Sequence, residues 1–337
     1  MKKLRAAIVG CGSIYPLHAA GLEDCDYGEL AAVVDCDVSR AIEAASKHGC
    51  RYYEDFDEML AAPDIDVVHL CTPHYLHGPM AVKALEKGRH VLSEKPMAMS
   101  TEEGEQMIKA SRSTGKQLGV CFQNRYNQAS LRIKELLDQG DLGRVKGGKA
   151  LVTWNRGAGY YASAAWRGTW KEEGGGVLVN QAIHTLDLLQ WFLGPADKLK
   201  AHVSTNFLEG IIEVEDTVDA AICFKSGAHA LFYATNGYVS DSPVEIEIVC
   251  EKALLKMQGD CLKVTYTDGR VEEVSENDVR TGKKAYWGTG HKKYIADFYE
   301  KLFKGEPVAV DGQEAIAVIK LIDGIYKSSR QGAFVTL

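Results

Sequence analysis

The sequence contains no C-x-x-C pair, no long basic run and no apolar stretch long enough to span a bilayer. Its nine cysteines are scattered from Cys11 to Cys261, a pattern that favours a reducing compartment over a disulfide framework or a zinc site. A net charge of −7 argues against a nucleic-acid partner. The apolar run before Gly10 is too short for a signal-peptide core, so we expect a cytoplasmic protein with no membrane partner.

The length of 337 residues suggests two domains, since a domain averages about 150 residues. In the first part of the chain, short Val-rich apolar runs alternate with helical patterns. This alternation predicts an α/β domain with a doubly wound parallel sheet. The predicted strands are 4–10, 30–35, 66–73, 89–96 and 116–122, and the predicted helices are 39–49, 56–62, 77–88 and 100–115.

The pattern changes after a helix predicted over 125–143. A long strand at 145–155 and several strands between 197 and 274 predict a second α/β domain with an open, mostly antiparallel sheet. Two helices, at about 289–303 and 312–330, follow them.

The first strand runs into "GCGSI", where Gly10 and Gly12 fit the first two positions of G-x-G-x-x-G. The first glycine of that motif permits a tight turn, and the second lets the backbone approach a pyrophosphate at a helix N-terminus. Tyr15 replaces the third glycine, so the motif is incomplete. Asp35 ends the second strand, where a carboxylate would bond the ribose hydroxyls of NAD and repel the extra phosphate of NADP. Arg40 weakens that preference, and a helix N-cap is the alternative role of Asp35.

Two further motifs, "CTPHYLH" (71–77) and "SEKP" (93–96), come at the carboxyl ends of predicted strands, where ligands bind in open α/β sheets. Lys95 is a candidate for proton handling beside a cationic nicotinamide, or alternatively a surface lysine in a turn. His74 and His77 suggest cofactor contact or helix capping. Without a third partner they do not predict a metal site.

In "EEGGGVLVNQAIHTLD", Asn180 and His184 are four residues apart in an apolar pattern, which places them on one face of a single predicted helix. His184 is a candidate general base, with a buried core histidine as the alternative. Asp187 lies one turn further on, within reach of orienting the His184 ring. Aromatic and basic residues of the second domain are candidates for lining a ligand pocket, with core packing or solvated charge as the alternative: Trp154, Arg156, Tyr160, Tyr161, Trp166, Arg167 and His291.

Taken together and in order, these motifs, with "QNRYN" (123–127), "WRGTW" (166–170) and "GHKKYIADF" (290–298), resemble the Gfo/Idh/MocA oxidoreductase family. The resemblance implies a Rossmann domain over 1–124 and a substrate-binding and oligomerisation domain over 125–337. It also implies NAD(P)-dependent oxidation or reduction at a secondary alcohol of a sugar, sugar derivative or cyclitol, in a homodimer or homotetramer. NAD is favoured over NADP because of Asp35.

The resemblance assigns Lys95 to the family lysine at the reacting hydroxyl and His184 to the catalytic histidine. Asn180 falls where inositol-dehydrogenase-like members carry Asp, and it can only donate and accept hydrogen bonds. The predicted catalytic residues are thus Lys95, His184 and Asn180. The predicted cofactor-binding residues are Gly10, Gly12, Ser13, Ile14, Asp35, Arg40, Cys71, Thr72, Pro73, His74, His77, Glu94, Lys95, Asn124, Trp166 and Arg167. The predicted substrate-binding residues are Lys95, Arg125, Tyr160, Trp166, Asn180, His184 and His291, and no metal ligand is predicted.

Two alternative functions remain open at this stage. In one, transient oxidation by NAD allows elimination of a glycosidic bond and the hydride is then returned. In the other, the chain is a non-catalytic sugar sensor that binds a dinucleotide. Retention of both Lys95 and His184 favours a dehydrogenase over the sensor.

Overall fold

The computed structural model describes residues 2–275 and 290–337, which form two compact units. One contains the described residues up to 123 together with 290–316, and the other contains 124–275 and 317–337. The division after residue 123 lies next to the predicted domain boundary, whereas residues 290–316 join the first unit. Residue 289, the predicted start of a helix, lies outside the described residues.

The first unit is built on a six-stranded parallel sheet of strand order β3-β2-β1-β4-β5-β6, which confirms the predicted doubly wound fold. Its strands are β1 (Leu4–Val9), β2 (Gly28–Val34), β3 (Arg51–Tyr53), β4 (Val67–Leu70), β5 (His90–Ser93) and β6 (Leu118–Val120). Its helices are α1 (Tyr15–Glu23), α2 (Val38–His48), α3 (Phe56–Ala61), α4 (His77–Glu86), α5 (Thr101–Thr114) and α10 (Gly290–Lys304).

Burial explains why most of these strands were predictable. All four residues of β4 are buried, as expected for a strand covered by helices on both faces. Strand β3 was not predicted, because it is a three-residue edge strand whose Arg51 and Tyr52 are exposed. Helix α5 begins as predicted at Ser100, whose side chain accepts a hydrogen bond from the Glu103 amide.

The second unit is built on a sheet of strand order β14-β13-β12-β11-β7-β10-β9-β8-β15, in which only β7 and β10 pair in parallel among the described strands. Its strands are β7 (Val145–Thr153), β8 (Ala196–Ser204), β9 (Thr217–Phe224), β10 (His229–Thr235), β11 (Glu245–Cys250), β12 (Ala253–Gln258), β13 (Cys261–Tyr266), β14 (Val271–Ser275) and β15 (Val335–Thr336). Its helices are α6 (Gln128–Gln139), α7 (Ala158–Tyr161), α8 (Val177–Asn180) and α9 (Ile183–Leu193), and the division between the units falls within α11 (Gly312–Gln331).

Helix α9 packs on β7 and supplies much of the core of this unit. Leu186, Leu189 and Phe192 are buried, as their helical spacing predicts. In the part of the chain that the structure describes, no helix combines the length and the apolar character needed to cross a membrane.

Candidate functional site

The loop between β1 and α1 has the backbone geometry that a pyrophosphate site requires. Gly10 has a φ of +94°, and a Cβ there would lie 2.6 Å from the Cys71 carbonyl oxygen, so only glycine fits. A Cβ on Gly12 would meet nothing within 4 Å, which leaves open space beside the loop. In the first turn of α1, Pro16 has no amide hydrogen and the Leu17 amide donates to the Ile14 carbonyl oxygen (3.0 Å), so a pyrophosphate would approach the glycine backbone of the preceding loop. The loop therefore fits a dinucleotide.

Asp35 is tied to this loop. Its Oδ2 accepts a hydrogen bond from the Cys11 amide (2.7 Å), and its Oδ1 accepts one from the Asp37 amide (2.9 Å). Asp37, not Asp35, is the N-cap of α2. The Arg40 guanidinium lies 3.2 Å from the Asp37 carboxylate, so its charge is paired.

His77 connects the two motifs at the carboxyl ends of β4 and β5. Its Nε2 lies 2.9 Å from the Thr72 carbonyl oxygen, and its Nδ1 lies 2.7 Å from that of Pro96. Burial lowers the pKa of this imidazole. Both ring nitrogens contact backbone, so His77 holds the two loops together, and the nearby His74 is also buried.

Lys95 follows directly on a buried carboxylate. Its amide donates to Glu94 Oε2 (3.2 Å), while His18 Nε2 and His291 Nε2 lie 3.0 and 3.4 Å from Glu94 Oε1. Burial alone would raise the pKa of Glu94. The hydrogen bond from His18 and the neighbouring His291 imidazole outweigh burial and hold the pKa of Glu94 well below its usual value. The backbone at Lys95 is thus anchored on an ionised carboxylate, and its side chain is half-buried.

A chain of buried hydrogen bonds supports this carboxylate. His18 Nδ1 lies 3.0 Å from His69 Nδ1, and His69 Nε2 lies 2.7 Å from the Tyr299 hydroxyl. Because Glu94 can only accept when it is ionised, His18 Nε2 is the donor in that contact. The chain of contacts therefore links Glu94 to the Tyr299 hydroxyl through two buried imidazoles.

Four side chains of this region could hold a metal ion by distance alone. The ligand atoms of His18, Glu94, Cys121 and His291 all lie within 4.8 Å of one another, and all four residues are buried. A metal would require the thiolate of Cys121, whereas burial and the Glu94 charge raise the pKa of that thiol well above its usual value. A metal would also replace the hydrogen bond between His18 and Glu94. A metal-free cluster therefore remains our prediction.

His291 is placed differently from its predicted role. It was predicted as a substrate ligand in the second domain, but it lies on α10 in the first unit and is buried beside Glu94. The sequence pattern places a histidine on this helix but cannot show which neighbour it contacts.

In the second unit, the single helix predicted for Asn180 and His184 is wrong. Asn180 ends α8, and His184 is the second residue of α9. Between them the Ala182 amide reaches back to the Val177 carbonyl oxygen (2.8 Å), and a new helical turn begins at Ala182. Asn180 and His184 therefore belong to two short helices and do not share one helical face.

Glu215 positions the start of α8. Its Oε1 accepts hydrogen bonds from the amides of Gly176 and Leu178 (both 3.0 Å) and from the Tyr326 hydroxyl (3.1 Å). A Cβ on Gly176 would lie 1.8 Å from the Glu215 carbonyl oxygen, so this position requires glycine. Burial raises the pKa of Glu215 to about 7, although these donors oppose the increase.

The side chain of Asn180 belongs to a polar cluster that we call the tyrosine cluster, consisting of Tyr160, Arg167, Glu173, Asn180 and Gln181. The Tyr160 hydroxyl accepts hydrogen bonds from Asn180 Nδ2 (3.2 Å), Gln181 Nε2 (3.0 Å) and Arg167 Nη1. Asn180 Nδ2 also donates to Glu173 Oε1.

Arg167 stacks between aromatic rings at the edge of this cluster. Its guanidinium carbon lies 4.4 Å from the Tyr160 ring centre and 4.6 Å from that of Trp166. Burial raises the pKa of the Tyr160 phenol, which therefore stays protonated at neutral pH, although Arg167 opposes the increase. The structure thus brings together four of the predicted site residues, Tyr160, Trp166, Arg167 and Asn180.

Arg125 does not have the exposure expected of a substrate ligand. Its side chain is about 7% exposed, and its Nε and Nη2 bind the two carboxylate oxygens of Asp187 at 2.8 and 2.6 Å. Arg125 therefore fixes α9 from within the core, and its substrate role stays a prediction. His184, on the first turn of the same helix, is half-buried.

Family models match most of the chain. Residues 4–122 match the model described as oxidoreductase family, NAD-binding Rossmann fold, and residues 130–256 match the GFO/IDH/MocA C-terminal domain. The chain belongs to the GFO/IDH/MocA family. It is an oxidoreductase with an NAD-binding Rossmann domain, as the sequence motifs predict.

Relatives within this GFO/IDH/MocA family include enzymes that act on sugars. The chain is 28% identical to D-glucoside 3-dehydrogenase of Escherichia coli over 99% of this chain and 97% of that one. An uncharacterized oxidoreductase of Synechocystis sp. is 34% identical, over 61% of this chain and only 56% of the relative. The WlbA dehydrogenase of Bordetella pertussis, solved with NADH and UDP-GlcNAcA, superposes with a TM-score of 0.87, is 32% identical, and covers 100% of this chain and 99% of its own.

Sequence reasoning on this GFO/IDH/MocA member missed Glu173, Glu215 and Gln181. The fully buried Glu173 precedes three glycines, and a carboxylate next to such a bend was the available signal. Glu215 carried no usable signal, because the α8 amides that it binds lie 37 and 39 residues away in the sequence.

Proposed function

We propose that the chain is an NAD-dependent dehydrogenase that oxidises a secondary alcohol of a sugar, sugar derivative or cyclitol. The observation that carries the proposal is a dinucleotide-fitting loop, tied to Asp35, in the same unit as a lysine anchored at the carboxyl end of β5. The sugar-specific names of the relatives support the substrate class.

Asp35 supports the choice of NAD over NADP. Its carboxylate is held at the loop by the Cys11 amide and would repel a 2′-phosphate. Arg40, the nearby cation that could have accepted such a phosphate, is paired with Asp37.

In the proposed reaction, the bound nicotinamide supplies the hydride acceptor, and the side chains of this chain manage the proton and the charge. His184 accepts the proton of the substrate hydroxyl as general base, a role typically worth about 10²–10⁴ in rate. The Lys95 ammonium donates a hydrogen bond to the same oxygen and stabilises the negative charge that develops on it. Asn180 binds a substrate hydroxyl.

Within the sugar class, we propose nucleotide sugars and sugar acids as the preferred substrates. Arg167 forms no ion pair with a carboxylate in the described ranges 2–275 and 290–337, and its half-buried guanidinium contacts Tyr160 beside Asn180. A half-buried cation of this kind favours an anionic group on the substrate. The nucleotide sugar bound to the WlbA relative belongs to the same class.

The test is a screen for reduction of NAD across cyclitols, free sugars, glycosides and nucleotide sugars, repeated with NADP. We expect NADH to accumulate with a nucleotide sugar or sugar acid, and at a lower rate with NADP in place of NAD. Release of free sugar from glycosides without net NADH would instead establish transient oxidation. Firm NAD binding without turnover of any compound would establish a sensor.

A further inference from the structure

Glu173 is fully buried, and both of its oxygens accept hydrogen bonds from groups that can only donate. Oε2 faces the Gly168 amide, and Oε1 faces Nδ2 of Asn180. Hydrogen bonds from N–H groups to both oxygens favour the charged form of a carboxyl group. The arrangement therefore fits an ionised carboxylate and requires a donor at position 180.

The amide of Asn180 is oriented by the same contacts. Its Nδ2 carries two hydrogens and has two acceptors, Glu173 Oε1 and the Tyr160 hydroxyl. Because the amide is planar, fixing Nδ2 also fixes the direction of Oδ1. An aspartate at this position would place a second carboxylate against a buried one, which is strongly unfavourable.

We propose that Glu173 is a positioning residue that dictates an amide at position 180 and fixes its orientation, so that Asn180 presents its carbonyl oxygen to a hydroxyl or N–H donor of the substrate. The substrate part of this inference rests on the proposed function. The coupling between positions 173 and 180 does not, because it is a property of the protein alone.

Exchanging the two side-chain types tests the coupling. In the double variant E173Q/N180D, the oxygen of the introduced amide can accept from the Gly168 N–H, while its nitrogen donates to the introduced carboxylate, so every group again has a partner. In N180D alone, two carboxylates share the site. E172Q, the same substitution at the adjacent residue, is the matched control.

The first measurement is thermal unfolding of the free protein at pH 5 and pH 8. We expect N180D to lose about 5–10 °C in Tm relative to the parent at pH 8 and less at pH 5, where the carboxyl pair can keep a proton. The double variant should regain most of that loss, and E172Q should match the parent at both pH values. If N180D fails to fold, folding of the double variant supports the coupling and its failure overturns it.

The pH dependence must be assigned to the correct group. Tyr160, Tyr161 and Tyr326 face the charge of Glu173, and burial raises the pKa of each, so none of them titrates between pH 5 and pH 8. The Arg167 guanidinium lies against the Tyr160 ring and is common to all the variants. Glu215, with a pKa of about 7, does titrate in this range but is common to all the variants, so only differences between variants count.

The second measurement is the pH profile of kcat/KM with a substrate from the screen. The kcat/KM of E173Q should fall about tenfold, because an amide at position 173 no longer fixes the orientation of Asn180. The pH profile of kcat/KM for N180D should contain an additional titration that is absent from the profile of the double variant. An N180D protein as stable as the parent at pH 8, or a double variant no better than N180D, contradicts the coupling. A screen without any turnover contradicts the proposed function, but it does not affect the unfolding test of the coupling.

Discussion

At the residue scale, three side chains of the proposed chemistry are tied to neighbouring groups by hydrogen bonds. Asp35 accepts from the Cys11 amide, the Lys95 amide donates to Glu94, and Asn180 donates to the Tyr160 hydroxyl. The resemblance and the motif spacing indicated all three residues, and their functional roles stay predictions. The same reasoning assigned Arg125 to the substrate. A side chain's partner depends on residues distant in sequence, here Asp187, and local pattern carries no such information.

The first residue-scale prediction concerns cofactor choice. D35N removes the charge at the loop but keeps an acceptor for the Cys11 amide. We therefore expect the ratio of the Kd for NADP to the Kd for NAD to fall about tenfold, measured by titration calorimetry. D55N, which changes an exposed helix cap elsewhere in the unit, should leave the ratio unchanged. An unaltered ratio in D35N would show that Asp35 does not select the cofactor.

The second residue-scale prediction separates structural from substrate-binding arginines. R125M leaves the Asp187 carboxylate buried without its guanidinium partner. We expect the free energy of unfolding, measured with urea, to fall by about 3–5 kcal/mol. R144M removes one side of an exposed ion pair and should lower the free energy of unfolding by less than about 1 kcal/mol. A stable R125M protein with a raised KM would instead support the substrate role.

At the scale of elements, periodicity located most strands and helices, but it could not reveal the break between α8 and α9. Residues 177–193 are largely apolar throughout and resemble one helix. The break depends on contacts from elsewhere, in particular Glu215 binding the amides at the start of α8. A capping group supplied by a distant loop leaves no mark in the local pattern.

Glu215 gives α8 a pH-dependent anchor. Its pKa of about 7 in the folded protein exceeds the usual value of 4.5, so the folded state binds the proton more tightly than the unfolded state. This contribution to stability is fully present below pH 4.5 and is lost as the pH rises through 7. The loss amounts to about 3 kcal/mol.

Urea unfolding of the parent and E215Q between pH 4 and pH 8 measures this contribution. The free energy of unfolding of the parent should fall relative to that of E215Q as the pH rises. E209Q, at an exposed position, should follow the parent at every pH. Parallel curves for the parent and E215Q would contradict the shifted pKa.

At the scale of the whole molecule, the sequence indicated both sheet classes but not the strand order of the second sheet. Strand β7 lies between β10 and β11, which follow it by more than 70 residues. Such pairing is decided by non-local packing, which alternation within each strand cannot encode.

We expect the chain to form a homodimer or homotetramer, as the family resemblance implies. Leu231 of β10 and Phe334 near β15 are 63% and 56% exposed, which leaves apolar area on the second unit for a partner copy. Light scattering after gel filtration should give at least twice the chain mass. A concentration-independent monomer would contradict this expectation.

The central claim is that Lys95 and His184 act on one substrate hydroxyl while the first unit holds NAD. The most direct measurement compares NADH formation by the parent, K95M and H184A at saturating NAD, with K87M, at an exposed lysine, as control. We predict that kcat falls at least about 10²-fold in K95M and in H184A, with the Kd for NAD little changed, and that K87M equals the parent. Near-normal turnover in H184A or K95M would contradict the account.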